Sequence, residues 1–165
     1  MITRQQALDL FEYRNGELYR LKRASQNTRV GDKVGHPDAR GYLKVTIGNK
    51  PYLVHRIIFL MHHGYLPNTI DHIDGNPANN CIENLREATQ QQNCYNSTTH
   101  GRNTSGHRGV SWSKVWGKWQ AYVNANKKRK FLGYFEDLEL AALVATEARD
   151  LYHGNFAKAY KEAHP

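Results

Sequence analysis

Asp71 and His72 stand side by side, and two asparagines, Asn84 and Asn93, follow 13 and 22 residues after Asp71. A carboxylate and a distal amide oxygen can together hold one hard divalent cation, which prefers oxygen ligands. An imidazole, with an ordinary pKa near ~6.5, can take a proton from water at neutral pH. These groups are the equipment for metal-assisted hydrolysis of a phosphodiester. Taken singly, each would be read as structural, since Asp74-Gly75-Asn76-Pro77 and Asn79-Asn80 are turn chemistry in their own right. The joint pattern is more specific. Asp71-His72-Ile73-Asp74-Gly75-Asn76 is followed by Asn79-Asn80, by Ile82-Glu83-Asn84-Leu85-Arg86, and by a helix-forming segment that carries Asn93.

That pattern strongly resembles the HNH nuclease family, in the variant whose later histidines are replaced by asparagine. The resemblance implies Asp71 and Asn93 as ligands of one Mg²⁺ (or Mn²⁺) per active site, and His72 as the general base. It implies Asn84 as the middle catalytic residue, bracing the loop and orienting the imidazole, because one carboxamide both donates and accepts. The family often has a histidine where Asn93 stands, so Asn93 matches the variant and not the commoner form. His55-Arg56 resembles another recurrent part of the variant, so either residue could touch DNA; a core-capping or surface role for His55 stays open. Asp74 either lies near the metal or only turns the chain.

The elements that must position these groups are short. Region 1–54 reads as strands at 17–20, 41–47 and 52–54, with turn chemistry at Gly48-Asn49-Lys50-Pro51. A helix is predicted from about His55 to His63, stopped by Gly64 and Pro67. Within 65–97, Ile70 to Ile73 reads as a strand, Cys81-Ile82 as its return, and Leu85 to about Asn96 as a helix. A polar linker, 98–107, leads to strand candidates at 109–112, 118–124 and 130–134. Then comes a helix from Leu138 to about Tyr152, capped by Asp137, ended by Gly154, and presenting Leu140, Val144, Ala148 and Leu151 on one face.

The formal charge of +8 is concentrated. Residues 101–133 hold eight Lys or Arg and no acid, whereas 1–100 are net +3 and 134–165 net −3. Such a stretch is an electrostatic footprint for a polyanion, although a solvated basic surface has the same composition. Here tryptophans are interleaved. Arg108-Gly109-Val110, Trp116-Gly117-Lys118-Trp119, Phe131-Leu132-Gly133-Tyr134-Phe135 and Gly154-Asn155-Phe156 resemble the AP2 DNA-binding domain over about 104–157. The resemblance implies a three-stranded antiparallel sheet on one helix, its other face in the major groove. Alternation then turns Trp119, Ala121 and Val123 to the helix and Gln120, Tyr122 and Asn124 to DNA, joined by Arg108, Lys114, Trp116, Lys118, Lys128, Arg129 and Lys130. Ser111, Ser113 and Asn124 replace arginines of the plant-type pattern, so its sequence specificity does not carry over. The Lys127 to Lys130 cluster is either a solvated turn or a set of phosphate contacts.

The predicted fold class is α+β: a ββα-metal (HNH) nuclease domain followed by the AP2-like module, with domains 1–97 and 108–165. Cys81 and Cys94, with no CxxC, support neither a disulfide framework nor a four-cysteine zinc site. No apolar run approaches the ~18 residues of a membrane span, and the N-terminus has no signal-peptide core. The expectation is a cytoplasmic protein of a bacterial or phage-infected cell, acting on double-stranded DNA with no obligatory protein partner. It would be a metal-dependent endonuclease like the homing endonucleases of phages and mobile elements. The rival reading is a non-catalytic DNA-binding regulator on a nuclease scaffold.

Overall fold

A computed structural model of the chain describes residues 2–95 and 103–156. Two compact units divide the chain, Met1–Asn93 and Cys94–Pro165.

The first unit opens on a helix that the sequence reading did not anticipate, α1 (Arg4–Leu10). Thr3 and Gln6 cap it reciprocally: each side-chain oxygen accepts from the other's backbone N–H, which satisfies two donors otherwise left orphaned. Strands β1 (Phe11–Arg14) and β2 (Glu17–Arg20) then form a hairpin closed by Asn15 and Gly16, both of positive φ. Asn-Gly is the pair that a twisted two-residue hairpin turn prefers. The two-residue strand β3 (Lys33–Val34) extends this sheet. A second antiparallel sheet contains β4 (His36–Pro37), β5 (Leu43–Ile47) and β6 (Lys50–Leu53). The β5–β6 turn is Gly48-Asn49 alone, since Lys50 already pairs with Ile47.

Helix α2 (Val54–His63) is the centre of this unit's core. Val54, His55 and every residue from Ile57 to Met61 are buried, so the helix is covered nearly all round, as protein on several sides requires. Phe11, Leu18, Val34, Val45, Ile70 and Leu85 complete that core. Gly64 ends the helix in the left-handed region (φ 80°), its N–H donating to Leu60 O. Arg4 Nε donates to Met61 O at 2.9 Å, satisfying another terminal carbonyl.

After α2 the chain forms β7 (Thr69–His72), a 3₁₀ turn at Ile82–Asn84, β8 (Leu85–Ala88) and α3 (Gln90–Tyr95). Two expectations are corrected here. Cys81-Ile82 is not the return strand; that role falls to β8. Leu85 to Ala88 is not helical, because each of the four pairs with a residue of β7 and both Leu85 and Ala88 are buried. Pairing and burial override the helix propensity of Leu, Arg, Glu and Ala. The helix starts later, at a capping box: Thr89 Oγ1 accepts from Gln92 N–H at 3.2 Å, and Gln92 Oε1 from Thr89 N–H at 2.8 Å. Its expected end at Asn96, and 98–102 of the expected linker, lie outside the described residues.

In the second unit, β9 (Val110–Ser113), β10 (Lys118–Ala125) and β11 (Lys128–Phe135) form an antiparallel sheet in the order β11-β10-β9. Helix α4 (Leu138–His153) packs on it, with Asp137 Oδ1 accepting from Leu140 N–H at 2.7 Å. Of the four residues expected on the buried face of α4, Ala148 is buried and Val144 half-buried, and the other two are not. Ala141, Ala142, Ala145 and Ala148 are inside, while Leu140 and Leu151 are exposed. Close approach explains the choice: a Cβ at Gly109 would lie 2.5 Å from Tyr122 O and 3.5 Å from Ala145 Cβ, so only small side chains fit. Asn103 to His107 is not loose: Asn103 Nδ2 donates to His107 O, and Ser105 Oγ donates to Val110 O. No helix among the described residues is long and apolar enough to cross a membrane.

Candidate active site

β7 delivers Asp71 and His72 to one end of a two-stranded ribbon, and β8 places Arg86 directly opposite Asp71. Arg86 Nε and Nη2 both donate to Asp71 Oδ2, at 2.8 and 2.7 Å. Asp71 is only 3% exposed, so this charged fork fixes a carboxylate that has left water. His72, 5% exposed, brings Nε2 within 3.0 Å of Oδ1 of Asn80, itself 1% exposed. The His72 ring meets His55 edge-on, with 5.0 Å between centroids, and lies 5.9 Å from Tyr42, which is 5.5 Å from His55. His55, read as a DNA-contact candidate, is therefore inside the fold, its ring against that of His72. Burial, followed by the proximity of His72 and Arg56, pushes its pKa down to about 3. Arg56 donates to Pro67 O at 3.1 Å and Asn68 O at 3.4 Å.

The loop between β7 and β8 is tied by its own carboxamides. Asp74 Oδ1 accepts from Asn76 N–H and Asn84 Nδ2, and its Oδ2 accepts from Asn79 Nδ2 at 2.7 Å. Burial alone would raise the Asp74 carboxyl, but these donors, with a contribution from His72, bring it below its ordinary value. Asn84 Nδ2 also donates to Asn79 O, and its Oδ1 accepts from Asp74 N–H. Those bonds brace the loop. The amide that meets the imidazole belongs to Asn80. Asp74 is the hub of a turn, and no cluster of three His, Cys, Asp or Glu that could hold a metal occurs among the described residues. Asn93 sits half-buried on α3, its N–H donating to Thr89 O at 3.0 Å.

The β1–β2 hairpin supports this loop from outside the motif. Tyr13 Oη accepts from Ile82 N–H at 3.1 Å. A Cβ at Gly16 would lie 2.8 Å from Cys81 N and 3.1 Å from Asn80 C. The sequence reading missed the parts played by Asn80, Arg86, Tyr42 and Gly16. Asn80 and Arg86 stood inside the motif, and strand register was the signal for Arg86; nothing local pointed to Tyr42 or Gly16.

The second unit separates the other candidates by face. Cross-strand pairs place Gln120 beside Ser111 and Tyr134, Tyr122 beside Phe131, and Asn124 beside Arg129. This face is turned away from the helix side, where Ala121 and Val123 are buried. Arg129 lies over the Tyr122 ring at 4.0 Å, and Trp116, 64% exposed, stands 5.8 Å from Tyr134. Lys114 and Lys128 are exposed. Lys118 pairs with Glu136 at 3.2 Å, and Lys130 caps the Tyr152 ring at 4.1 Å. Arg108 turns inward: it donates to Cys94 O and Tyr95 O at 2.8 Å each, and burial lowers its pKa. The Tyr95 ring stacks on His153, 3.7 Å between centroids, while His153 Nε2 donates to Asn124 O.

No solved structure matches the chain. Residues 52–95 match the HNH endonuclease family, a span that runs from β6 through α2, β7 and β8 to the end of α3. Protein 3.8 of Escherichia phage T7 is 43% identical over 89 residues, which are 54% of this chain and 73% of that relative. At that identity and coverage, the chain belongs to the family of this phage protein, and its residues 52–95 are an HNH endonuclease domain.

Proposed function

We propose that the protein is a metal-dependent DNA endonuclease of the HNH homing type. The observation that carries the reading is the adjacency on β7 of Asp71, fixed by Arg86, and His72, fixed by Asn80, inside the HNH-matched segment. His72 takes the proton of the attacking water. Asp71 and Asn93 supply oxygen donors suited to one Mg²⁺ or Mn²⁺. These two residues would hold the cation, and its remaining positions would be open to water and phosphate oxygens, as magnesium commonly arranges. When bound, the cation stabilises negative charge on the scissile phosphate and the leaving oxygen. Asn84 keeps the loop in shape while this happens.

The second unit provides affinity and position on duplex DNA in the manner of an AP2 domain, through Gln120, Tyr122, Asn124, Arg129 and Trp116 with Lys114 and Lys128 at its edges. The division 1–97, linker and 108–165 is the functional division we assign. Phage ancestry of the relative fits an enzyme of mobile elements acting in an infected host cell. Incubating supercoiled plasmid and total phage DNA with the full chain tests the proposal. Cleavage should require Mg²⁺ or Mn²⁺, stop with EDTA, and vanish in Asp71→Ala. A protein that binds DNA but cuts with neither metal would be the regulator instead.

A further inference from the structure

We infer that Asn80 is a positioning residue that holds His72 as the Nε2–H tautomer and so makes Nδ1 the basic atom of the ring. A neutral imidazole carries one N–H and one lone pair, and the partner of one nitrogen decides which is which. Asn80 Oδ1, 3.0 Å from His72 Nε2, can only accept a hydrogen bond, so Nε2 carries the proton. The lone pair is then on Nδ1.

Four features support the placing of the amide for this contact. Asn80, 1% exposed, is among the most completely buried polar groups of the described residues, and its Nδ2 has no hydrogen-bond partner among them. A buried donor without a partner is a cost that calls for an explanation, and the contact made by the amide oxygen offers one. The backbone on either side of it is clamped: Gly16 abuts the Asn80–Cys81 peptide, and Tyr13 Oη takes the Ile82 N–H. The neighbouring amide cannot take the role, because both functions of Asn84 are bound to Asp74 and Asn79. The Tyr42 and His55 rings lie against the same imidazole and restrict its rotation.

The use of Nδ1 as the base rests on the endonuclease reading; the tautomer does not. Full-length protein labelled with ¹⁵N-histidine, free of metal and DNA at about pH 8, gives ring correlations that distinguish the tautomers, with His72 identified by its loss in His72→Gln. The expected wild-type signature is Nε2–H. In Asn80→Leu it should shift toward a mixture, and kcat on plasmid should fall by roughly 10–100-fold, the usual size of a lost orienting partner, with KM for DNA unchanged. Asn80→Asp keeps an oxygen acceptor and should retain the Nε2–H form and recover most of kcat. A wild-type Nδ1–H signature overturns the inference, and so does a folded Asn80→Leu that keeps both signature and kcat. Should Asn80→Leu not fold, the wild-type spectrum and Asn80→Asp decide, loss of the Nε2–H form in the latter counting against it. If no protein cuts DNA, the endonuclease reading fails while the spectra alone uphold or overturn the tautomer.

Discussion

Asp71, His72 and Asn80 of the first unit are buried and held by polar partners, whereas the candidate DNA contacts of the second lie along an open sheet face. Asp71, His72 and Asn80 have almost no exposure, and each has a named partner. On the β9–β11 face, Phe131 is 57% exposed, and Tyr134 and Arg129 lie open beside it. Proton transfer needs atoms held to within a fraction of an ångström, which burial and second partners supply. A binding face needs reach and area, and tolerates loss of any one contact. Substitutions in the first unit should therefore be few and severe in effect, and those in the second numerous and mild.

The severest test of that contrast is His72→Ala. Cleavage should fall by roughly 10²–10⁴-fold, the range for loss of a general base, while DNA affinity in a gel-shift assay stays near wild type. Near-normal turnover at saturating metal would remove His72 from the mechanism and break the comparison at its base.

The buried ring cluster should also reveal itself in acid. His55 has an ordinary pKa near ~6.5 in the unfolded chain and about 3 in the fold. Between those values the unfolded chain binds a proton that the folded chain refuses, so stability is fully present above the upper value and declines as pH falls toward the lower. By pH ~4.5 the loss from this group is about 2–3 kcal/mol. His62 and His153, both lowered chiefly by burial, add to the slope. Urea melts at neutral pH and pH ~4.5 should show a smaller acid loss in His55→Phe than in wild type. Equal losses would mean that His55 titrates normally.

Gly16→Ala addresses the support beneath the loop. At φ +84° and 2.8 Å from Cys81 N, an added methyl meets both backbone strain and a clash with backbone, together costing about 1–3 kcal/mol. The expected result is a lower Tm accompanied by reduced kcat, because Asn80 shifts with Cys81. A lower Tm with unchanged kcat would show that the hairpin supports stability alone.

How far the sequence could be read divides along the same line. The strands and helix of the second unit lie within about two residues of expectation, because Gly109, the Asn126-Lys127 turn of positive φ and the Asp137 cap mark each boundary locally. The first unit's motif was legible as an HNH match, and β7 and α2 lie within about one residue of expectation, but the return strand was not: Leu85 to Ala88 has helix-forming composition and becomes a strand only through β7. The α1 capping box was present in Thr3 and Gln6 and went unread. Partners from distant sequence, Tyr42 on His72 and Gly16 on Asn80, are set by tertiary packing that no local pattern encodes. On α4 the leucines looked like the core, and the close helix–sheet approach selected the alanines.

The smallest effects belong to the exposed face, and their smallness is itself the expectation. Arg129 and Lys128 stand in the stretch 101–133 that holds eight of the 23 basic residues and no acid. Each phosphate neutralised releases counterions, so replacing either by alanine in the full-length protein should lower the log–log salt slope of DNA binding by about 0.9. Tm and kcat at saturating DNA should not change. Arg108 provides the control from within the same stretch. Its guanidinium is committed to Cys94 O and Tyr95 O, so Arg108→Ala should lower Tm and leave the salt slope nearly as it was. If Arg129→Ala and Lys128→Ala leave the slope intact while Arg108→Ala reduces it, the sheet face is not where DNA lies, and the assignment of binding to exposed residues fails. If all three reduce it equally, Arg108 exchanges its carbonyl partners for phosphate when DNA arrives, and the contrast between a closed catalytic unit and an open binding face holds only for the free protein.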